Sequence, residues 1–226
     1  IEADAYDGSN DVQGNYITAP LTVPGPVSVE DGSSYSQISD AVNDGALSDG
    51  GTVTVADGYY DEKNTIAVGA NDGVTIQAAQ GASPVVSTNT KPILTASGNN
   101  ASVQGLGFEY ALDSSVDTHL VQLTGDDASL DSNSISVDST GGNNELGYAF
   151  VKLGGQDAEV LNNEFNDTYD DDGTGEGLYT VQAGGGADGS LIDDNTVNAM
   201  SGVYVASKNL TVSNNEFYVN TSAVFT

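Results

Sequence analysis

A short phrase returns along this chain, and it limits the fold more than any other feature. Val160-Leu161-Asn162-Asn163-Glu164-Phe165 reappears as Val212-Ser213-Asn214-Asn215-Glu216-Phe217. Looser copies run Leu130…Asn133…Ile135 and Ile192…Asn195…Val197, so all four read apolar-x-x-Asn-x-apolar. Short strands recurring at a period of about 20–32 residues are the signature of a solenoid. Stacked coils place like residues above one another at about 4.8 Å, the spacing of paired strands. At that spacing side-chain amides hydrogen-bond up and down the stack. Asn133, Asn163, Asn195 and Asn215 are therefore expected to form a structural ladder inside a turn.

Composition sets what such a rod can meet. Its 226 residues suffice for one solenoid or two small domains. There is no Cys, hence no disulfide framework and no thiolate chemistry. There is no Arg, and four Lys face 33 Asp and Glu, for a net charge of −29. Regular Val, Ile and Leu strands argue against the disorder that such charge otherwise suggests. The expectation is a folded, carboxylate-solvated protein of a halophile. Self-repulsion opposes its compact state in dilute salt. At about 1 M salt the Debye length falls to about 3 Å and the repulsion is largely screened. Four Lys cannot build a phosphate-tracking surface, so nucleic acid is excluded as a partner. The longest apolar runs fall far short of the roughly 20 residues that span a bilayer, so no membrane-spanning segment is expected. The chain opens on Ile1 rather than Met, as expected of a processed chain whose targeting segment has gone.

Residues 1–33 are acidic and then broken by Pro20, Pro24 and Pro26, which reads as an extended N-terminal arm or linker with an edge strand around Tyr16–Val23. Residues 34–226 form the repeat body. Ile38, Ala41, Val42 and Leu47 share a helical face after Ser34-x-x-Gln37, which has the form of a capping box. Gly50-Gly51 ends that unit and Thr52-Val53-Thr54-Val55-Ala56 is the first clear strand.

Tyr35–Val42, Gly50–Glu62 and Val74-Thr75-Ile76 together resemble the opening of pectin-methylesterase-like and pectate-lyase-like proteins. With the Asn phrases, the resemblance covers roughly residues 34–226. It implies a right-handed parallel β-helix whose first coil is capped by a short amphipathic helix. The family's chemistry carries over poorly. Pectin methylesterases need an Arg beside their catalytic Asp residues, and this chain has none. The lyases use an Arg or Lys base with Ca²⁺ held by acids, which only Lys152 beside the 166–177 loop could mimic.

Registering the coils on the Asn phrase gives inward pairs Leu94/Ala96, Val121/Leu123, Val151/Leu153, Val181/Ala183 and Val203/Val205, because side chains alternate faces along a strand. Phe108, Ile135, Phe165, Val197 and Phe217 point inward from another strand of each coil. The residue between each inward pair points out, in the line Thr95, Gln122, Lys152, Gln182 and Tyr204. The resemblance puts polysaccharide on this sheet. Amides, an ammonium and a Tyr face suit sugar hydroxyls and ring stacking, so Gln122, Lys152, Gln182 and Tyr204 are the candidate ligand contacts. An ordinary solvent-facing ladder is the alternative.

Within the loop at 166–176, Asp170, Asp171, Asp172 and Glu176 put four carboxylates in seven residues beside Gly173. Hard oxygen ligands at such positions suit Ca²⁺, which makes calcium the one cofactor to test; a solvated acidic loop is the alternative. His119 is alone, with no Ser/His/Asp or Cys/His partners in the sequence. Asn100, Asn166, Asn209 and Asn220 open Asn-x-Ser/Thr sequons, Asn166 and Asn220 being the better placed acceptors in an exported protein. The last strand, Ala223–Thr226, starts a coil without completing it, and its uncharged edge invites self-association or further chain.

These features point to an all-β, right-handed parallel β-helix with a short N-terminal capping helix, at an extracellular, cell or virion surface. Three functional readings follow: a non-enzymatic surface or appendage protein, structural or adhesive and binding glycans; a Ca²⁺-dependent polysaccharide lyase or related carbohydrate enzyme; and a viral spike or capsid-surface protein recognising a haloarchaeal host. The missing Arg and catalytic motifs favour the first over the second.

Overall fold

The computed structural model describes residues 27–43, 47–69, 71–88, 92–111, 119–138, 149–167, 179–199 and 201–226. Among the described residues the fold is all-β, with three long sheets and one six-residue helix. From Thr52 onward the chain visits the sheets in fixed rotation. The first sheet receives Thr52–Val55, Thr75–Ala78, Ser102–Gln104, Ser129–Asp131, Glu159–Leu161, Leu191–Asp193 and Thr211–Ser213. The second runs from Tyr59–Asp61 through Val85–Ser87, Gly107–Ala111, Ser134–Asp138, Glu164–Asp167 and Thr196–Ala199 to Glu216–Val219. The third runs from Ile66–Val68 through Leu94–Ala96, Val121–Leu123, Ala149–Leu153, Tyr179–Ala183 and Val203–Val205 to Val224–Phe225. Within each sheet, strands from successive circuits pair in parallel with one another.

Strands this short cannot stand alone, and the interior columns hold them together. Val53, Ile76, Val103, Leu130, Val160 and Ile192 stack in register under the first sheet. Tyr60, Val86, Phe108, Ile135, Phe165 and Val197 stack under the second. Leu94, Val121, Val151, Val181 and Val203 stack under the third. All of these are buried, at about 1.5–3 kcal/mol for each fully buried aliphatic side chain.

Two turns recur in the left-handed backbone region, the second of them from the third circuit onward. The first falls two residues before each first-sheet strand, at Gly50, Gly73, Asn100, Asp127, Asp157, Gly189 and Asn209. The second falls between the first and second sheets, at Gly105, Ser132, Asn162, Asp194 and Asn214. Gly, Asn and Asp tolerate this region best, which is why the repeat spells Asn-Asn and Asp-Asp where a strand ends.

The Asn at the second turn works as the spacing implies. Asn163 Oδ1 accepts from the backbone N–H of Asn133 at 2.9 Å, and its Nδ2 donates to Leu130 O at 2.9 Å. Asn195 Oδ1 accepts from Asn163 N at 2.8 Å and Nδ2 at 3.0 Å, and Asn215 Oδ1 accepts from Asn195 N at 2.9 Å. Asn133 Oδ1 accepts from Leu106 N at 3.0 Å; with Leu106 holding the next position, the ladder stops there. A second ladder, not anticipated from the sequence, lines the first turn. Asp49, Asp72, Asn99 and Asp126 each accept, through Oδ1, the backbone N–H of the equivalent residue on the following circuit, at 2.8–3.1 Å.

The helix, Ile38–Asn43, buries Ile38, Ala41 and Val42. The capping box expected at Ser34 is not formed, because Ser34 lies in the strand Ser34–Tyr35, ahead of the helix. Glu62 takes over the role from the second sheet's edge. Its buried carboxylate accepts from Ile38 N at 2.5 Å and Ser39 N at 3.2 Å, satisfying donors at the helix start. Of the segment 1–33, only residues 27–33 are described, and Val27–Val29 is part of the first sheet, antiparallel to both Thr52–Val55 and Ser34–Tyr35. The expected strand around Tyr16–Val23 lies outside the described residues.

Candidate functional site: a polar strip on the third sheet

The parallel register of the third sheet aligns Thr95, Gln122, Lys152, Gln182 and Tyr204 in one row, continued at its ends by Ala67 and Phe225. The row alternates with the buried columns and is itself half-buried from Thr95 to Tyr204. Four strand spacings separate Thr95 from Tyr204, about 19 Å.

Residues three positions before the row, at or just ahead of each strand's start, adjoin it. Leu120-Val121, Phe150-Val151 and Thr180-Val181 are each buried in succession. Two consecutive inward residues break the period of two, so the residue before the pair turns toward the same face as the residue after it. His119, Ala149 and Tyr179 are those residues; His119 and Ala149 are buried beneath that face and Tyr179 is half-buried. His119 Nε2 lies 2.5 Å from Gln182 Oε1, two circuits away. Ala149, at the intervening position, has only a methyl group, which leaves room for the imidazole to cross. The amide oxygen can only accept, so Nε2 carries the ring proton. Burial holds His119 below the usual imidazole range; the Gln182 bond opposes this, and the nearby Lys152 ammonium adds a smaller downward push.

The far end of the strip is aromatic. The rings of Tyr179 and Tyr204 lie 5.0 Å apart at 31°, and Phe225 meets Tyr179 edge-on at 5.1 Å. From Thr95 to Phe225 the face therefore grades from hydroxyl and amide, through a cation and a hydrogen-bonded imidazole, to an aromatic platform. That mixture presents donors, acceptors and ring faces side by side. His119, Tyr179 and Phe225 were not part of the site inferred from sequence. The doubled buried residues at the corner were the available signal for the first two.

The remaining candidates are separate from this strip. Asp170, Asp171, Asp172 and Glu176 lie outside the described residues, as does most of the loop beside Lys152. Among the described residues no group of three or more His, Asp or Glu is placed to hold a metal. Asn100 and Asn209 are exposed, at left-handed turns. Asn220 is exposed just past the strand Glu216–Val219, whereas Asn166 is half-buried and its Nδ2 donates to Glu164 Oε1 at 2.8 Å. Comparisons with protein-family models, with curated proteins and with solved structures return no match to this chain.

Proposed function

We propose that the chain is a right-handed parallel β-helix, capped at its first coil by the Ile38–Asn43 helix, and that it serves as a non-enzymatic adhesive rod at an extracellular surface of a salt-loving organism or its virus. The observation that carries this reading is the strip on the third sheet, where amides, Lys152 and three aromatic rings share one half-buried face over the buried His119. Lys152 is the cation of that row, and it suits a carboxylated or sulfated glycan. In dilute salt a chain of charge −29 repels such a polymer. In concentrated salt the long-range term is screened within about 3 Å, and pairing at contact decides. The deep carboxylate excess and the strip are thus compatible functions of one surface at high salinity.

The test is calorimetric titration of polyuronate fragments in concentrated KCl. The parent protein is expected to bind them, and Lys152→Ala to bind about tenfold more weakly, the loss of one charge-assisted contact of about 1.4 kcal/mol. The same samples are monitored in the ultraviolet. A Ca²⁺-dependent rise from unsaturated uronate, lost in Lys152→Ala, would replace this reading with the polysaccharide lyase. Images of native particles separate a cell-surface rod from a virion spike.

A further inference from the structure

A groove crosses the corner between the first and second sheets, on a different side of the molecule from the polar strip. Its volume is about 300 Å³. Val85, Gly107 and Ser134 form its floor as one row across three paired strands. Further along the same row stand Glu164, Thr196 and Glu216, whose longer side chains would fill it. The groove thus exists because this stretch of the row carries small residues, with Gly107 at its centre. Pro84 and Leu106 line it from beneath as buried residues, Val85 supplies partly exposed apolar surface, and Ser83, Ser132 and Ser136 bring hydroxyls. Over the corner it continues into a second depression of about 240 Å³ lined by Gln77 and Gln104, the two sharing Gly105 and Ser132. In the other direction the row runs to Tyr59, whose ring is 42 % exposed and in register with Val85.

The charge distribution selects the ligand. In a chain with 33 acidic residues, the lining of both depressions holds one charged group, Glu109, and no cation. An anion finds no partner there. Serine hydroxyls, glutamine amides and a carboxylate offer donors and acceptors to hydroxyl groups, while Val85 and the Tyr59 ring offer surface to the C–H faces of sugar rings. We infer that this groove is a binding site for a neutral oligosaccharide, separate from the Lys152 strip and opposite to it in charge preference. The inference does not rest on the strip binding anything.

The experiment titrates neutral hexasaccharides of glucose, mannose and galactose into the full chain in concentrated KCl, followed by saturation-transfer NMR and calorimetry. Gly107→Gln fills the groove with a side chain shaped like the Glu that this row already carries at 164 and 216. A Cβ at Gly107 meets Pro84 O at 3.4 Å, an ordinary contact, so the variant should fold. Tyr59→Ala removes the ring from an exposed position. At least one hexasaccharide should bind the parent at millimolar concentration or below. Binding should fall about tenfold in Gly107→Gln and about three- to tenfold in Tyr59→Ala, with melting temperatures unchanged. Lys152→Ala and added polyuronate should leave it intact. The inference is overturned if none of the three sugars binds, or if neutral binding survives Gly107→Gln and is lost in Lys152→Ala. Loss of polyuronate binding alone, with neutral binding retained, would count against the strip and not the groove.

Discussion

At the scale of single residues, the chain is held by side chains that substitute for backbone partners. Asn163 illustrates this: its Oδ1 and Nδ2 both bond the preceding circuit, at Asn133 N and Leu130 O, and Nδ2 also donates to Asn195 Oδ1 on the following one, at 2 % exposure. Asn163→Ala leaves the Asn133 N–H and the Leu130 carbonyl unsatisfied inside the turn. The expected cost is about 1–3 kcal/mol, read from denaturant melts at fixed salt. A midpoint equal to the parent's would show that water replaces the amide at no cost. His119 makes a different prediction. Its folded pKa is lowered, with burial the main cause, so the unfolded chain binds the proton more readily than the folded one. Stability from this group is complete above the ordinary imidazole pKa of about 6.5 and is lost as pH falls through the lowered folded value. Melting temperature should therefore drop between pH 7.5 and 5.5, above the carboxylate range, and His119→Gln should flatten that drop. An equal drop in both proteins would place its source elsewhere.

At the scale of the element, the corners between the third and first sheets set how closely circuits pack. Gly98, Gly125 and Gly155 stand at equivalent points of successive circuits. A Cβ on Gly125 would fall well inside contact distance of the Gly98 carbonyl, and one on Gly155 inside that of the Gly125 carbonyl. The obstacle is backbone, which cannot swing aside. Gly125→Ala should destabilise by about 1–3 kcal/mol or more, whereas Gly185→Ala, where a Cβ meets nothing within 4 Å, should be close to neutral. Comparing the two melting curves checks this. The buried Glu62 shows the same economy at the opening. It reaches the helix from a neighbouring strand, so the local Ser34-x-x-Gln37 spacing did not reveal the cap.

At the scale of the whole molecule, charge and core act against each other. The interior columns are apolar and continuous, while 33 Asp and Glu are offset by four Lys, for a net charge of −29. The expectation is cooperative folding above about 1 M KCl and loss of strand signal in dilute buffer, since screening changes most over that range. Circular dichroism against salt measures it. Full signal with an unchanged melting temperature at low ionic strength, free of divalent ions, would remove the halophilic reading and leave the fold untouched.

The sequence by itself determined the strand columns, the outward row from Thr95 to Tyr204 and the place of the Asn ladder. All three depend on periodicity: alternation decides which side chains face in, and the repeat decides which residues stack. Tertiary structure decided what lies across circuits. His119 meets Gln182 because a corner with two buried residues turns both toward one face and Ala149 leaves a gap between them. The Asp49–Asp126 ladder arises because turns of different composition share one backbone geometry, which residue identity alone did not disclose. The groove at Gly107 is a missing side chain in one circuit, visible only when its neighbours in the row, Val85 and Ser134, are placed beside it. Periodic patterns constrain neighbours along the chain, whereas a binding face is built from residues one or two circuits apart, and their juxtaposition is fixed by stacking.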